Sequence, residues 1–220
     1  MPDAAGVTRS SSPTLDAAAQ PARKRHPKSQ RRWDLIVEAS TALFKQRGFA
    51  ATSMQDISDR VGLQKGSLYY YVDSKESLLF EILRDLHHGG EALVEHINFG
   101  TSDALGELRS YLIQICIYSG RHADRLKIFN RDLHFLAEPQ QREIIRERFM
   151  YWSATKRLIA LAIEQKQVSP SVNVATAAQM VLRATSTTYE WYSPSGPIPL
   201  EKIAVQTAGI LVRGLAMHGG

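Results

Sequence analysis

Apolar residues recur at helical spacing along nearly the whole chain. From about Ser29 to Arg47 the inner stripe is Ile36, Ala39, Leu43 and Phe44, and Gly48 follows as a natural stop. Met54, Ile57 and Val61 mark one face of a second helix, opened by a Ser53-x-x-Asp56 signal and ended by Gly62. A short third helix is expected over about Lys65–Tyr71. A fourth begins near Ser74, where Asp73 and Glu76 offer a D-x-x-E cap, and carries Leu78, Leu79, Ile82, Leu83 and Leu86. After a loop at Asn98–Ser102, helices are expected from Leu105 to near Gly120, around His122–Phe129, from Pro139 to about Gln167, and from Val174 to Trp191. The last runs from Leu200 to about Met217, with Ile203, Thr207, Ile210, Leu211 and Leu215 facing inward. No alternating strand pattern and no internal repeat interrupts this. The expected fold is all-α with about nine helices, a three-helix N-terminal head followed by a larger helical body.

The stretch from Thr52 to Leu79 organises the rest. Two short helices meeting at Gly62, with Leu63 beneath the turn, have the layout of a helix-turn-helix. On spacing alone that layout fits either DNA binding or ordinary helical packing. The residues themselves go further. Thr52, Asp56-Ile57-Ser58, the run Val61 to Val72, Ser74-Lys75-Glu76 and Leu78-Leu79 closely resemble the DNA-binding domain of TetR-family transcriptional regulators, without gaps, over roughly residues 30–80. The resemblance implies that Tyr69 and Tyr70 touch phosphates or thymine methyls. It implies that Thr52 and Lys75 clamp phosphates, at the start of the second helix and of the fourth. Gln64, Lys65 and Ser67 are then the candidates for base edges, since Gln suits adenine and Lys suits guanine. The sequence departs from the family pattern at Gln64, Tyr71 and Val72, where Ser, His and Phe are usual.

Charge refines the picture of the head. Residues 1–32 carry seven basic and two acidic side chains, whereas residues 33–80 carry five basic and six acidic. The positive excess therefore sits in the N-terminal arm and the first residues of the first helix, including Arg31, beside a head with no net positive charge of its own. Residues 1–27 hold four prolines and few large apolar groups, the composition of a disordered arm. Such an arm suits phosphate contact. Residues 28–80 then form the DNA-binding domain, and residues 81–220 the effector-binding and dimerisation domain.

The resemblance also gives the body its expected roles. The last two helices of such proteins pair with their twins, so a homodimer reading a palindromic operator is expected. The helices between hold an effector, for which Tyr111, Gln114, Asn130, Arg131, His134, Tyr151, Trp152 and Arg183 supply candidate polar contacts. Trp191-Tyr192-Ser193-Pro194-Ser195-Gly196-Pro197 resembles an element of TetR-type regulators of fatty-acid and steroid catabolism, several of which respond to acyl-CoA thioesters. An acyl-CoA-like effector is the corresponding expectation, with Arg121, Arg125, Arg131, Arg142, Arg146 and Arg148 as candidates at the pocket mouth for its phosphates.

Enzyme chemistry finds little footing. Cys116 falls on an apolar helical face, the setting of a structural thiol. His87 and Glu91 are four residues apart, but no third ligand follows at metal-binding spacing. Asp132 and His134 lack a nucleophile, and no glycine-rich phosphate loop occurs. No catalytic residue, metal or cofactor is therefore expected; the expected function is a ligand-responsive repressor, and the alternatives are a TetR-type activator or a helical enzyme or carrier for acyl-CoA-like ligands. A single cysteine, a polar N-terminus and the lack of a long uncharged apolar run suit a cytoplasmic protein without a membrane span.

Overall fold

The computed structural model describes residues 27–217, which form ten α-helices and one 3-10 turn, without a strand. The head comprises α1 (Pro27–Arg47), α2 (Met54–Val61) and α3 (Lys65–Tyr69). Helix α4 (Lys75–Glu95) leads into the body, made of α5 (Ala104–Arg121), α6 (Ala123–Asp132), the 3-10 turn Leu133–Phe135, α7 (Glu138–Glu164), α8 (Val174–Ser186), α9 (Thr188–Trp191) and α10 (Leu200–Leu215). The basic arm through residue 26 lies outside the described residues.

Helix α2 starts and stops where its sequence dictates. The Ser53 hydroxyl accepts from Asp56 N at 3.1 Å, and the Asp56 carboxylate accepts in return from Ser53 N at 2.8 Å. Those Ser53 hydrogen bonds hold the Asp56 carboxyl below its ordinary value. At the other end Gly62 takes φ 65°, which lets its own N–H and that of Leu63 return to Asp59 O and Ser58 O. Helix α4 is capped differently from the expectation. The Ser74 hydroxyl accepts from Ser77 N at 3.0 Å, so Ser74 rather than Asp73 is the cap.

The first core does not stop at the head. It joins Trp33, Ile36 and Phe44 of α1 with Ile57, Leu68 and the α4 residues Leu78 to Leu86, then continues to Ile128 and Phe129 of α6 and Ile144 of α7. Polar ties cross the same seam. Lys45 pairs with Asp124 at 2.9 Å, and Arg131 donates to Phe44 O while pairing with Asp132. A second core is built from Leu108, Leu112 and Ile115 of α5, Leu158 and Ile159 of α7, Ala177 and Val181 of α8, and Ala208 and Val212 of α10.

Two expectations change here. The helix expected over 174–191 breaks at Thr187, giving α8 and α9. Thr185, Thr187 and Thr188 each turn a hydroxyl onto a preceding carbonyl (Val181, Arg183 and Thr185), drawing on the acceptors a continuous helix would use. Ile210, expected inward, is 63% exposed. The inner face of α10 is instead formed by small residues, Ala204, Ala208 and Gly209, beside Leu200 and Val212.

Candidate functional sites: a DNA-reading head and a body cavity

The turn before α2 is held from the far side by α4. Lys75 Nζ donates to Phe49 O at 2.8 Å and to Thr52 O at 2.7 Å, and it lies 4.3 Å from the centre of the Phe49 ring. Thr52 is only 1% exposed, and its hydroxyl donates to Gly48 O. Thus the two residues expected as phosphate clamps are engaged inside the protein: they fix the entry to α2. Gln64, Lys65 and Ser67 are exposed together at the start of α3, and Gln64 makes no capping hydrogen bond that would occupy its amide. Tyr69 is exposed beside them, and Tyr70 projects furthest, 83% exposed with its ring edge-on to Tyr71. Arg31 is exposed on α1. The head therefore presents one polar and aromatic face, and Leu68 and Val72 on the opposite side close its core.

The body contains a cavity of about 440 Å³. Its wall is mixed in chemistry and drawn from six helices. Helix α4 contributes Leu86, His87 and Leu93, α5 contributes Ile115, Tyr118 and Ser119, and α6 contributes Leu126 and Asn130. Arg148, Phe149, Tyr151 and Trp152 come from α7, Arg183 from α8 and Tyr189 from α9. No Asp or Glu is among the described lining residues.

Several wall groups already have partners. Asn130 donates its amide to Leu126 O and to the Tyr189 hydroxyl at 2.9 Å, and that hydroxyl donates to Glu190. The Tyr118 hydroxyl donates to Leu86 O, and Tyr151 to His87 O at 3.3 Å. Burial raises the Tyr118 phenol to about 12. The Arg148 guanidinium lies over the Phe129 ring at 4.8 Å, where desolvation and then the charge of Arg183 lower its pKa from the usual value.

His87 stands apart. Only 5% exposed, it packs edge-on to Phe129 at 5.3 Å, and no hydrogen-bond partner lies near its Nε2. Burial, followed by the charges of Arg148 and His88, depresses its pKa to about 4, so the ring is neutral near pH 7.

Of the residues expected at an effector site, Asn130, Tyr151, Trp152 and Arg183 line this cavity. Four do not. Tyr111 is buried in the second core, with burial raising its phenol, and Gln114 is exposed on the outer side of α5. Arg131 is spent on the seam with α1, and His134 is exposed against Phe135. His87 and Glu91 make no pair, because His87 turns inward while His88 faces Glu91 at 4.0 Å. Cys116 is buried, its sulfur 3.0 Å from the Thr188 hydroxyl. About half of the lining residues missed from sequence are Leu, Ile and Tyr, types shared by the cores. Arg148 was among the arginines expected at the pocket mouth, and His87 gave a signal by continuing the inward α4 row of Leu79 and Leu83 at four-residue steps.

A three-helix head exposing a polar α3, set on an all-helical body with a half-open cavity of mixed chemistry, has the build of a DNA-binding transcriptional regulator. The sequence patterns of known families agree. Residues 36–82 match the family of bacterial regulatory proteins of the tetR type, and residues 102–215 match the tetracyclin repressor-like C-terminal domain. The chain belongs to the TetR family. It is 26% identical to the HTH-type transcriptional repressor KstR2 of Mycobacterium tuberculosis over 87% of this chain and 96% of that one. The structure of that ketosteroid transcriptional regulator superposes with a TM-score of 0.77 at 25% identity, over 86% of this chain and 96% of its own. The KstR2 repressor of Rhodococcus jostii is 26% identical over 86% of this chain and 93% of that one. The fold is shared also by AibR in complex with isovaleryl coenzyme A and operator DNA, with a TM-score of 0.71 at 24% identity over 82% and 98% of the two chains. Among the described residues no helix is long and apolar enough to cross a membrane.

Proposed function

We propose that this chain is a repressor that binds a palindromic operator as a homodimer and leaves it when a small, largely apolar effector enters the body cavity. One observation carries the reading. Helix α4 forms part of two structures at once: Leu78, Leu79, Ile82 and Leu83 complete the core of the head, while Leu86, His87 and Leu93 line the cavity. A ligand that prefers one position of α4 therefore biases the placement of the head, a two-state equilibrium shifted by differential affinity. The relatives named as repressors support the direction of control.

Dimerisation is supported by the outer faces of α8 and α10. Met180, Val205 and Ile210 lie exposed there, with Ala175 nearby, although each helix has already buried its inner stripe in the monomer. Pairing of these faces would set two α3 helices into successive major grooves. Gln64, Lys65 and Ser67 would read bases while Tyr69, Tyr70 and Arg31 contact the backbone.

The cavity favours an apolar body with an oxygen-bearing or anionic end, because its hydrophobic wall carries Arg148 and Arg183 and no acid. A kinship with a regulator described as ketosteroid-linked, together with the Trp191–Pro197 element, supports fused-ring acids and their CoA thioesters as effectors. Genome-wide capture of binding sites, followed by gel shifts on the captured operators with and without such compounds, tests the reading. Operator release by at least one of them is expected. Binding that no compound of this class alters would overturn the effector assignment.

A further inference from the structure

The turn of α4 at residues 86–90 carries an unusual concentration of features. His87 is buried at the cavity wall with its Nε2 lacking a hydrogen-bond partner. The carbonyls on either side of its own N–H, those of Leu86 and His87, each accept an extra hydrogen bond from a tyrosine hydroxyl. Tyr118 comes from α5 and Tyr151 from α7, and both line the same cavity. Next in the chain stand Gly89 and Gly90. A Cβ on Gly90 would collide with the Tyr151 hydroxyl, and one on Gly89 would stand only 2.7 Å from that of Tyr118.

These facts have a common physical reading. Side-chain donors that take up helix carbonyls compete with the helix's own N–H groups, and paired glycines add backbone freedom at the same place. The turn is therefore the softest part of α4, lying between a half fixed in the head and a half that lines the ligand space. A buried polar nitrogen without a partner is costly. It is tolerated where a bound molecule restores the missing bond.

Resting on the proposal that the cavity holds the effector, we propose that His87 is the specificity-determining contact for a neutral oxygen group on the ligand, a ketone or hydroxyl, and that residues 86–90 form the joint through which this contact is passed to the head. The neutral imidazole can donate to a carbonyl or accept from a hydroxyl according to its tautomer. A ligand bonded to His87 pulls on the turn that Tyr118 and Tyr151 hold from the other walls. Recognition and transmission thus share one turn of α4 instead of requiring a relay through the body.

The test uses the full-length protein and the variants His87→Leu and Tyr151→Phe. Decalin, 2-decalone and 2-decalol serve as probes matched in shape and differing in oxygen chemistry. Wild-type protein is expected to show a larger thermal shift with the ketone or the alcohol than with the hydrocarbon, and His87→Leu is expected to erase that difference while keeping the response to decalin. Without any probe, His87→Leu should melt at or above the wild-type temperature, because the substitution removes an unpartnered polar group. A lower melting temperature would assign His87 a structural bond and overturn the inference without any ligand. Equal oxygen preference in wild type and His87→Leu would overturn it too, leaving the cavity reading intact. If no probe shifts either protein, both the inference and the cavity reading fall. For the joint, Tyr151→Phe should change the operator-release curve plotted against the fraction of protein carrying probe. An unchanged release curve would remove the joint from the proposal.

Discussion

The ammonium of Lys75 lies 2.7 Å from the carbonyl oxygen of Thr52, at the point where α4 begins and α2 is about to begin. This bond, with the companion bond to Phe49 O and the ring contact with Phe49, makes the first residue of α4 a brace for the helix-turn-helix. A residue type expected to meet phosphate is instead satisfied internally. Replacing it tests which role dominates. Lys75→Met should lower stability by about 1–2 kcal/mol, since a hydrogen bond to a charged group contributes on that order and this one is partly exposed. The urea midpoint reads the loss. A midpoint equal to wild type, with DNA affinity reduced, would restore the phosphate role.

Tyr70 is the most exposed large hydrophobic side chain of the head, and its hydroxyl has no hydrogen-bond partner among the described residues. Tyr70→Ala is expected to weaken binding to cognate and random DNA alike, each by roughly tenfold, the size of one lost charge-assisted hydrogen bond. Gel shifts at fixed salt check this. A loss confined to the cognate site would move Tyr70 from backbone positioning to base reading.

The depressed pKa of His87 gives stability a pH dependence of known sign. Folded, the ring titrates at about 4, against 6.5 when unfolded, so between these values the unfolded chain binds the extra proton. Stability from this group is complete above about pH 6.5 and falls as pH drops towards 4, by up to about 3 kcal/mol. Comparing urea midpoints of wild type and His87→Leu at pH 7 and pH 5 isolates it. The variant should lose less stability on acidification, and parallel curves would contradict the buried neutral ring.

Ile210 tests the pairing of α8 and α10. Ile210→Asp places a charge on the exposed apolar face of α10 without entering the monomer's core, so the fold should persist. Light scattering after size exclusion is expected to show a monomer where the wild type is a dimer. Operator affinity should fall steeply, because each monomer then binds a half-site alone. A variant that remains dimeric would place the interface elsewhere.

How legible this was in the sequence depended on what each residue type can report. Helix α2 was readable to its end residues because Ser53, Asp56 and Gly62 act locally, through their own hydrogen bonds and φ angles. The break at Thr187 was hidden because threonine is a weak signal singly, and three hydroxyls acting together are seen only in the fold. On α10 the apolar residues outnumber those one face can bury. The structure assigned the inner face to Ala204, Ala208 and Gly209, which fit closely against α5, and left Ile210 outside. No gap in packing marks the boundary expected near residue 80, since the first core runs from Trp33 to Ile144. Cavity residues were the least legible. Tyr111 and Tyr118 stand seven residues apart on one helix, and only packing decides that the first is core and the second is wall.

From the Lys75 brace, α4 runs as one rod to the soft turn at Gly89–Gly90. Fifteen residues separate Lys75 from Gly90, so the span is about 22 Å at the helical rise of about 1.5 Å per residue. Pivoting that rod by about 5° at its glycine end carries the brace, and the entry to α2 bound to it, sideways by about 2 Å. In a symmetric pair the two displacements act in opposite senses and the separation of the reading helices changes by about twice that amount. A bond made to one buried imidazole is in this way geared up to the scale of a phosphate contact.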